Sequence, residues 1–540
     1  MVERRAVCSN GPGEREHRRG CECSSRPKRL TLQYDGNYGC QATTTRITHL
    51  PRAPFSQARS DWFFHEGCGC NHINALENRV GACIPYPSSS GLFLLRQRAV
   101  ELSKVVGVHP QASFESVIQG FHGKRRARYQ KAHADILRGG VNKRHARTTM
   151  FVKLEGIKYS TEKVNPSCRA IQFRAPSYTL LASTYFKPIE HHLYQVAGGF
   201  GFPKSRFIAK NMRPDQRAAS MLEKFNSLPG CEVLELDASR FDAHVSKELL
   251  EIEHLFWRRC NRDPEFAKLL DWQLVNQGSA YTKQGRIRYS VEGGRMSGDA
   301  NTAAGNCVLM SCMLSAFGMS LGAKFDFLCD GDDSVFFYQG PRVTEERVIE
   351  FFLNFGMTMK IENRTTEFQN INFCQGKPVR LRGKWTLVRD PKKILSKTTI
   401  NPKFGNVQFR PKLLKSIAQA ELSLNRGCPI LQDYLCALIR VADKYMSKNG
   451  LSDGGLLHPS VFCEYRLRRD HTSDWREAGP QPITQEARVD FSRAWGISVA
   501  EQLRMEESLR TWEFNLMDTS CAGGGFDVNR WLYDWQHRED

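Results

Sequence analysis

The sequence contains no Gly-x-x-x-x-Gly-Lys-Ser/Thr loop, which argues against a P-loop NTPase and so against unwinding by this chain. No methyltransferase signature and no internal repeat are present. The first twenty residues, MVERRAVCSNGPGEREHRRG, are charged and lack an apolar centre, so they do not read as a secretory leader. Cysteine is plentiful, at 18, but lacks a framework of spacings. Its tightest cluster, His65, Cys68, Cys70 and His72 in HEGCGCNH, is a weak zinc signal because no second well-spaced pair accompanies it. Reduced thiols inside an intracellular protein, mostly in cores, are therefore expected. Long apolar runs are also missing. The nearest, residues 307–323, is short for a membrane span and is diluted by Ser311, Ser315, Gly318, Ser320 and Gly322, so it predicts a buried helix and no transmembrane segment.

What is present is positive charge. The 540 residues carry a net +20, with 41% hydrophobic and 10% aromatic residues. The length predicts two to four domains or subdomains, and the charge predicts a polyanionic partner, nucleic acid or anionic membrane. Residues 121–150 concentrate nine Lys or Arg against one acid, Asp135. A solvated helix face is the ordinary explanation of a charge run, but that imbalance favours phosphate contacts, with Lys124, Arg125, Arg126 and Arg128 as RNA-binding candidates.

Residues 231–243, CEVLELDASRFDA, predict a strand ending at Asp237, followed by an amphipathic helix with Val245, Leu249, Ile252 and Leu255 on one stripe. Residues 325–338, FDFLCDGDDSVFFY, predict two strands joined by a tight turn at Gly331. Residues 346–360 read as a helix leading to Lys360, residues 371–388 as a hairpin, and the last 140 residues as mainly helical. Five of the nine tryptophans lie between Trp475 and Trp535, as a separate helical lobe would have them.

Asp332 and Asp333 are adjacent carboxylates between segments that favour burial, and like charges there need compensation. A divalent cation supplies it, and hard carboxylate oxygens suit Mg²⁺. A calcium loop fails on spacing: counting from Asp330, position six is Val335 and position twelve is Pro341. A third carboxylate from a neighbouring strand, Asp237, would complete a two-metal phosphoryl-transfer site. Between these acids lies GGRMSGDANTAAGN, residues 293–306. Ser297, Asn301 and Thr302 there either cap a helix or contact a ribose and a template backbone. Upstream, Lys153, Lys158, Lys163, Arg169 and Arg174 are strung through strand-like sequence that could neutralise a triphosphate.

In this order, these segments resemble the viral RNA-dependent RNA polymerases, most closely the tombusvirus-like group, over roughly residues 65–400. LDASRFDAHVSKELLEIEH resembles motif A, SGDANTAAGN motif B, DGDD motif C, KIEN motif D, NFCQGKPV motif E, and FVKLE through AIQFRAPSY motif F. NHINALENRV, GKRRARYQKA and VRDPKKILSK are also similar to segments of that group. Motif F departs from the pattern in reading Asn-Pro-Ser-Cys-Arg before Arg169.

The resemblance implies an α+β, right-hand polymerase. Residues 1–60 would be a loosely ordered arm and 61–230 an extension with the fingers. The palm would be 231–400, with an inserted fingers segment at about 260–290, and a helical thumb would be 401–540. It implies template-directed RNA synthesis with two Mg²⁺ or Mn²⁺ ions on Asp237, Asp332 and Asp333, and Lys360 as general acid. Asp242 and Asn301 would read the ribose 2′-hydroxyl, Ser297, Gly298 and Thr302 would shape the nucleotide pocket, and Lys153, Lys163, Arg169 and Arg174 would line NTP entry. Partners would be RNA template and product, NTPs, and other viral replication proteins in membrane-associated complexes of a host cytoplasm, with the anchor supplied by another segment or partner. Two other readings compete. A reverse transcriptase would carry Tyr-x-Asp-Asp and lack the ribose-reading pair. A non-catalytic RNA-binding protein would have no reason to bury adjacent carboxylates near a polyanion.

Overall fold

The computed structural model describes residues 2–5, 25–27, 30–34, 48–51, 53–55, 62–158, 167–282, 284–451 and 479–517. In chain order the elements that matter here are β1 (Leu30–Tyr34), α1 (Ser89–Val106), α2 (Gly123–Gly139), β2 (Thr148–Val152), β3 (Ala170–Phe173), α3 (Pro176–Leu193), β4 (Glu232–Ala238), α4 (Lys247–Cys260), β5 (Val275–Thr282), β6 (Gly285–Glu292), α5 (Thr302–Ser320), β7 (Lys324–Asp330), β8 (Asp333–Gln339), β9 (Met359–Thr365), β10 (Gly376–Leu381) and β11 (Lys384–Arg389). Helices and strands are mixed along the chain, and the sheets are mostly antiparallel.

The central sheet has the order β7-β8-β4-β9, all antiparallel. Its inner strands β8 and β4 are largely buried, whereas the edge strand β9, MKIENRT, is mostly polar. Along β4, Leu234 and Leu236 enter the main core with Phe327 and Phe336, while Val233 enters a second core with Leu328, Val335 and Phe337 on the opposite face. The β4–β9 pairing contains a β-bulge between Glu235 and Leu236, where Glu235 faces Asn363 but Leu236 faces Ile361.

The membrane-like run is the buried core helix α5, with Ala304 through Gly318 all buried. A helix apolar all round belongs in such a place. Phe317 in its last turn has Phe336, Phe351 and Phe352 rings at 5.2–5.4 Å. The predicted hairpins appear as β7–β8 and β10–β11.

A six-stranded sheet has the order Val2–Arg5, β1, β6, β5, β2, β3. Here the expected loose arm acquires structure: Leu30 and Leu32, both 2% exposed, alternate into a core with Met150, Ala280, Ile287 and Val291. That period-two burial makes LTLQY a strand despite the polar sequence around it. Thr48–His49 likewise pairs with Ile400–Asn401. The C-terminal part is helical as expected, with Arg410–Leu424, Leu431–Lys448, Gln485–Trp495 and Val499–Thr511 packed around a core they share with Leu50, Ala53 and Val379, Leu381 and Val388 of the β10–β11 hairpin. Trp512 stacks on Tyr434, whereas Trp475, Trp531 and Trp535 lie outside the described residues. Eleven described cysteines are free thiols; Cys83, exposed on a short strand, departs from the expectation and is disulfide-bonded.

Candidate active site

The β7–β8 hairpin closes on the pair Asp330 and Asp333, with only Gly331 and Asp332 in the turn. Gly331 takes φ 80°, which a residue with a Cβ resists and which fits the first position of a hairpin turn. Asp333 lies opposite Asp237 on β4, and Asp237 lies opposite Lys360 on β9. Directly opposed residues share a face of the sheet, so Asp333, Asp237 and Lys360 form one row across three strands.

The three carboxylates of the hairpin differ in environment. Asp330 is tied to Lys210 and Arg217. Burial would raise its pKa, but those two cations outweigh burial and hold it below the ordinary carboxylate value. Asp332 and Asp333 form no ion pair among the described residues. Burial, then Asp242 and Asp237, push Asp332 up. Asp333 is exposed at its edge yet set among other acids. Desolvation and the charges of Asp332, Asp237, Asp330 and Glu362 push it up to about 6.

This donor set fits divalent magnesium or manganese. Hard oxygens crowd together, and a bound cation relieves both the repulsion and the raised pKa values of Asp332 and Asp333. Among the described residues no three His, Cys, Asp or Glu side chains already converge as a closed cage. Mg²⁺ does not ask for one, because it keeps waters and shares carboxylates with substrate phosphates.

Arg240, at a left-handed φ of 49°, turns the chain from β4 into the short helix Phe241–His244, which presents Asp242. Ser297 donates to one Asp242 carboxylate oxygen, and Asn306 Nδ2 approaches the other at 3.4 Å. The expected partner, Asn301, is elsewhere. Its side chain is fully buried, donating to Glu253 at 2.9 Å and accepting from Gln273 at 3.1 Å. Asn301 precedes the first turn of α5, whereas Asn306 sits four residues into the helix on the face toward Asp242. Asn306 is therefore the residue that the sequence reading missed. Its Oδ1 accepts from Arg295 Nε at 2.8 Å, and Arg295 in turn pairs with the buried Glu253. Thr302 also serves the backbone, donating to Met296 O at 3.0 Å. Gly298 is required by close approach, since a Cβ there would lie 2.3 Å from Gln172 O.

A pocket beside these groups is lined by Arg79, Lys153, Arg169, Asp242, Arg295 and Ser297. Lys153 and Arg169 share Glu155, at 2.9 and 3.5 Å, and both keep solvent access. Arg79, which the sequence reading passed over within NHINALENRV, donates to Ser167 Oγ at 3.1 Å, and burial followed by the nearby charges of Arg169 and Arg240 lowers its pKa. Arg174 does not belong to this group: at 2% exposure it pairs with Asp299 at 2.6 Å and bonds Asn276 and Ala146, a structural role. Lys163 lies outside the described residues.

Lys124, Arg125, Arg126 and Arg128 are exposed on α2, which buries Tyr129 and Ala132 on its inner face, and none of them lines the pocket. The zinc candidate is not borne out as a cluster. His72 Nδ1 contacts Cys68 O at 2.7 Å, and no group of three ligands forms there among the described residues.

The model of the family described as "Viral RNA dependent RNA polymerase" matches residues 73–517. The chain is 32% identical over 431 residues to the RNA-directed RNA polymerase of Turnip crinkle virus, covering 78% of this chain and 53% of that protein. It is 30% identical over 477 residues to that of Tomato bushy stunt virus, covering 85% and 55%. With that of Groundnut rosette virus it shares 29% over 507 residues, covering 92% and 58%. The chain thus spans somewhat more than half the length of these relatives. With the family model extending over most of its length, across both the aspartate row and the cationic pocket, the chain belongs to the viral RNA-dependent RNA polymerases.

Proposed function

We propose that this chain copies RNA from an RNA template by nucleotidyl transfer, replicating and transcribing a positive-strand viral genome. The observation that carries the reading is the row Asp333–Asp237–Lys360, capped by Asp332 and facing a pocket of cations. In this reading the central sheet is the palm, the six-stranded sheet with its helices the fingers, and the C-terminal helices the thumb of a right-hand polymerase.

Two divalent ions held by Asp237, Asp332 and Asp333 would activate the attacking 3′-hydroxyl and stabilise the leaving pyrophosphate. The protein's own groups do the rest. Lys153, Arg169 and Arg79 hold the triphosphate. Asp242 accepts from the ribose 2′-hydroxyl while Asn306 and Ser297 fix its carboxylate, which lets the site tell NTP from dNTP. Lys360, at the end of the row, stands where it can donate a proton to pyrophosphate. The basic helix α2 contacts RNA phosphates through Lys124, Arg125, Arg126 and Arg128. Replication would take place in membrane-associated complexes of the host cytoplasm, with other viral proteins as partners.

The test is incorporation of labelled NTP on single-stranded RNA with Mg²⁺ or Mn²⁺, comparing the unmodified chain with Asp332→Asn. Template-dependent product that the variant loses is the expected result. RNA binding without product from either protein would reject the reading.

A further inference from the structure

The end of α5 farthest from the catalytic groups carries apolar side chains that the fold does not cover. α5 runs from Asn306, beside Asp242, to Met319, about 20 Å along its axis at 1.5 Å per residue. Met319 is 50% exposed there, and two other segments meet it. The loop 198–203, which follows α3, lies directly on it: a Cβ at Gly201 would fall 2.3 Å from Met319 Sδ. The same loop lies on the end of α1, where a Cβ at Gly199 would fall 2.6 Å from Val105 Cγ2. Between these two glycines stands Phe200, 78% exposed. Val108, just beyond α1, adds a fourth exposed apolar side chain to Phe200, Met319 and Val105.

Phe200 is held outward by a braced backbone. Arg98, buried beneath the loop, donates from Nη1 to Phe200 O at 2.8 Å. Ser315 Oγ donates to Gly201 O at 2.5 Å, and Gly198 N to Pro203 O at 2.6 Å. Phe202 turns the opposite way and stacks on Phe207 in the main core, with ring centroids 5.3 Å apart. A ring on such a tip loses little freedom when something covers it, and an exposed apolar cluster marks an interaction surface. Charge says what the partner is. Residues 102–109, 195–206 and 318–325 contain no Asp or Glu. Lys104, Lys204 and Lys324 are exposed beside the cluster. The acids next along the chain are already paired: Glu101 with Lys104 at 2.8 Å, Glu190 with Lys187 at 2.6 Å, and Asp326 with the buried Lys224 at 2.7 Å. A projecting ring among apolar side chains, rimmed by lysines, matches the boundary of an anionic bilayer. The ring enters the acyl region while the ammonium groups stay among headgroups.

We propose that this end of the molecule is a foot that docks on an anionic lipid surface, with Phe200 and Met319 inserted and Lys204 and Lys324 on headgroup phosphates. A peptide partner would call for a concave groove, whereas Phe200 is a projection. Asp242 lies at the other end of α5, so docking leaves the nucleotide side of the protein open to solvent. The foot does not depend on the nucleotidyl-transfer reading, because docking needs neither NTP nor template.

The experiment floats the full chain with vesicles of phosphatidylcholine, with and without phosphatidylserine, at about 0.15 M salt. The parent floats with the mixed vesicles. Phe200→Ala lowers its partition coefficient at least about fivefold, at an unchanged melting temperature. Lys204→Gln combined with Lys324→Gln lowers it at least about fivefold, and only where phosphatidylserine is present. Phe200→Trp keeps binding, and its added fluorescence is quenched by bromo-acyl phosphatidylcholine beyond the quenching seen in the parent. Tyr281→Ala, also an exposed ring but on the six-stranded sheet, changes nothing. A parent that does not float overturns the proposal, as does a partition coefficient for Phe200→Ala within about twofold of the parent, since burying a phenyl ring is worth more than that. A lipid-free dimer that Phe200→Ala dissolves also overturns it, by making a second copy of the chain the occupant.

Discussion

Arg295→Met should separate ribose reading from the rest of the site. Arg295 is 4% exposed and Glu253 fully buried, so the substitution leaves a carboxylate without its cation in a low-dielectric interior. Losing one member of such a pair costs about 3–5 kcal/mol of stability. Glu253 keeps bonds from Trp257 Nε1 at 2.8 Å and Asn301 Nδ2 at 2.9 Å, which places the cost toward the lower end of that range. Glu253→Gln in the same chain removes the orphan charge and should recover much of the loss. Function should not recover with it. Arg295 Nε holds Asn306 Oδ1, which turns Asn306 Nδ2 toward Asp242. Without it the amide is free to flip, and a hydrogen bond worth about 0.5–1.5 kcal/mol leaves Asp242, the carboxylate proposed to read the ribose. The ratio of kcat/KM for UTP over its 2′-deoxy analogue should then fall by roughly three- to tenfold in both variants. Denaturant titration reads the first effect and single-nucleotide incorporation the second. The network has no part in sugar selection if the ratio stays at the parent value in the stable double variant while Asp242→Asn abolishes it.

Two further outcomes follow from charge and burial. Asp330→Asn should keep template-dependent synthesis where Asp332→Asn loses it, because Asp330 is committed to Lys210 and Arg217; loss of synthesis in a folded Asp330→Asn protein would make Asp330 a ligand. His254 is buried, and desolvation lowers its pKa to about 4 from an ordinary 6.5, so the neutral ring is the native form. Its contribution is present above the unfolded value and is lost as pH falls toward the folded one, amounting to about 2.5 kcal/mol between pH 7 and about pH 4.5. Denaturant midpoints of His254→Gln at both pH values should show that much less acid sensitivity, and equal sensitivity would refute the assignment.

The acids were legible in the sequence because the signal is local. A Gly-Asp turn between two apolar strands constrains its own geometry, and the strand before Asp237 declares itself by period and composition. The failures are all non-local. Arg174 advertised a charge, but its partner Asp299 lies 125 residues on. Asn301 and Asn306 are equivalent as letters; where α5 begins decides which of them meets Asp242 and which turns into the core. β1 carries only five residues of alternation, and its reason to be a strand is the edge of β6, more than 250 residues away.

The bulge in the β4–β9 pairing has a chemical consequence. The chain of β9 passes Glu362 without giving it a partner, and from there the ladder resumes one residue out of step. With unbroken pairing Asp237 would stand opposite Ile361, an aliphatic side chain, and Lys360 would fall beside Ala238 on the other side of the sheet. One unpaired residue thus acts as a frameshift in space: it exchanges a hydrocarbon for an ammonium group at the end of the aspartate row, and ties the charge at that position to the count of residues in a strand rather than to any loop.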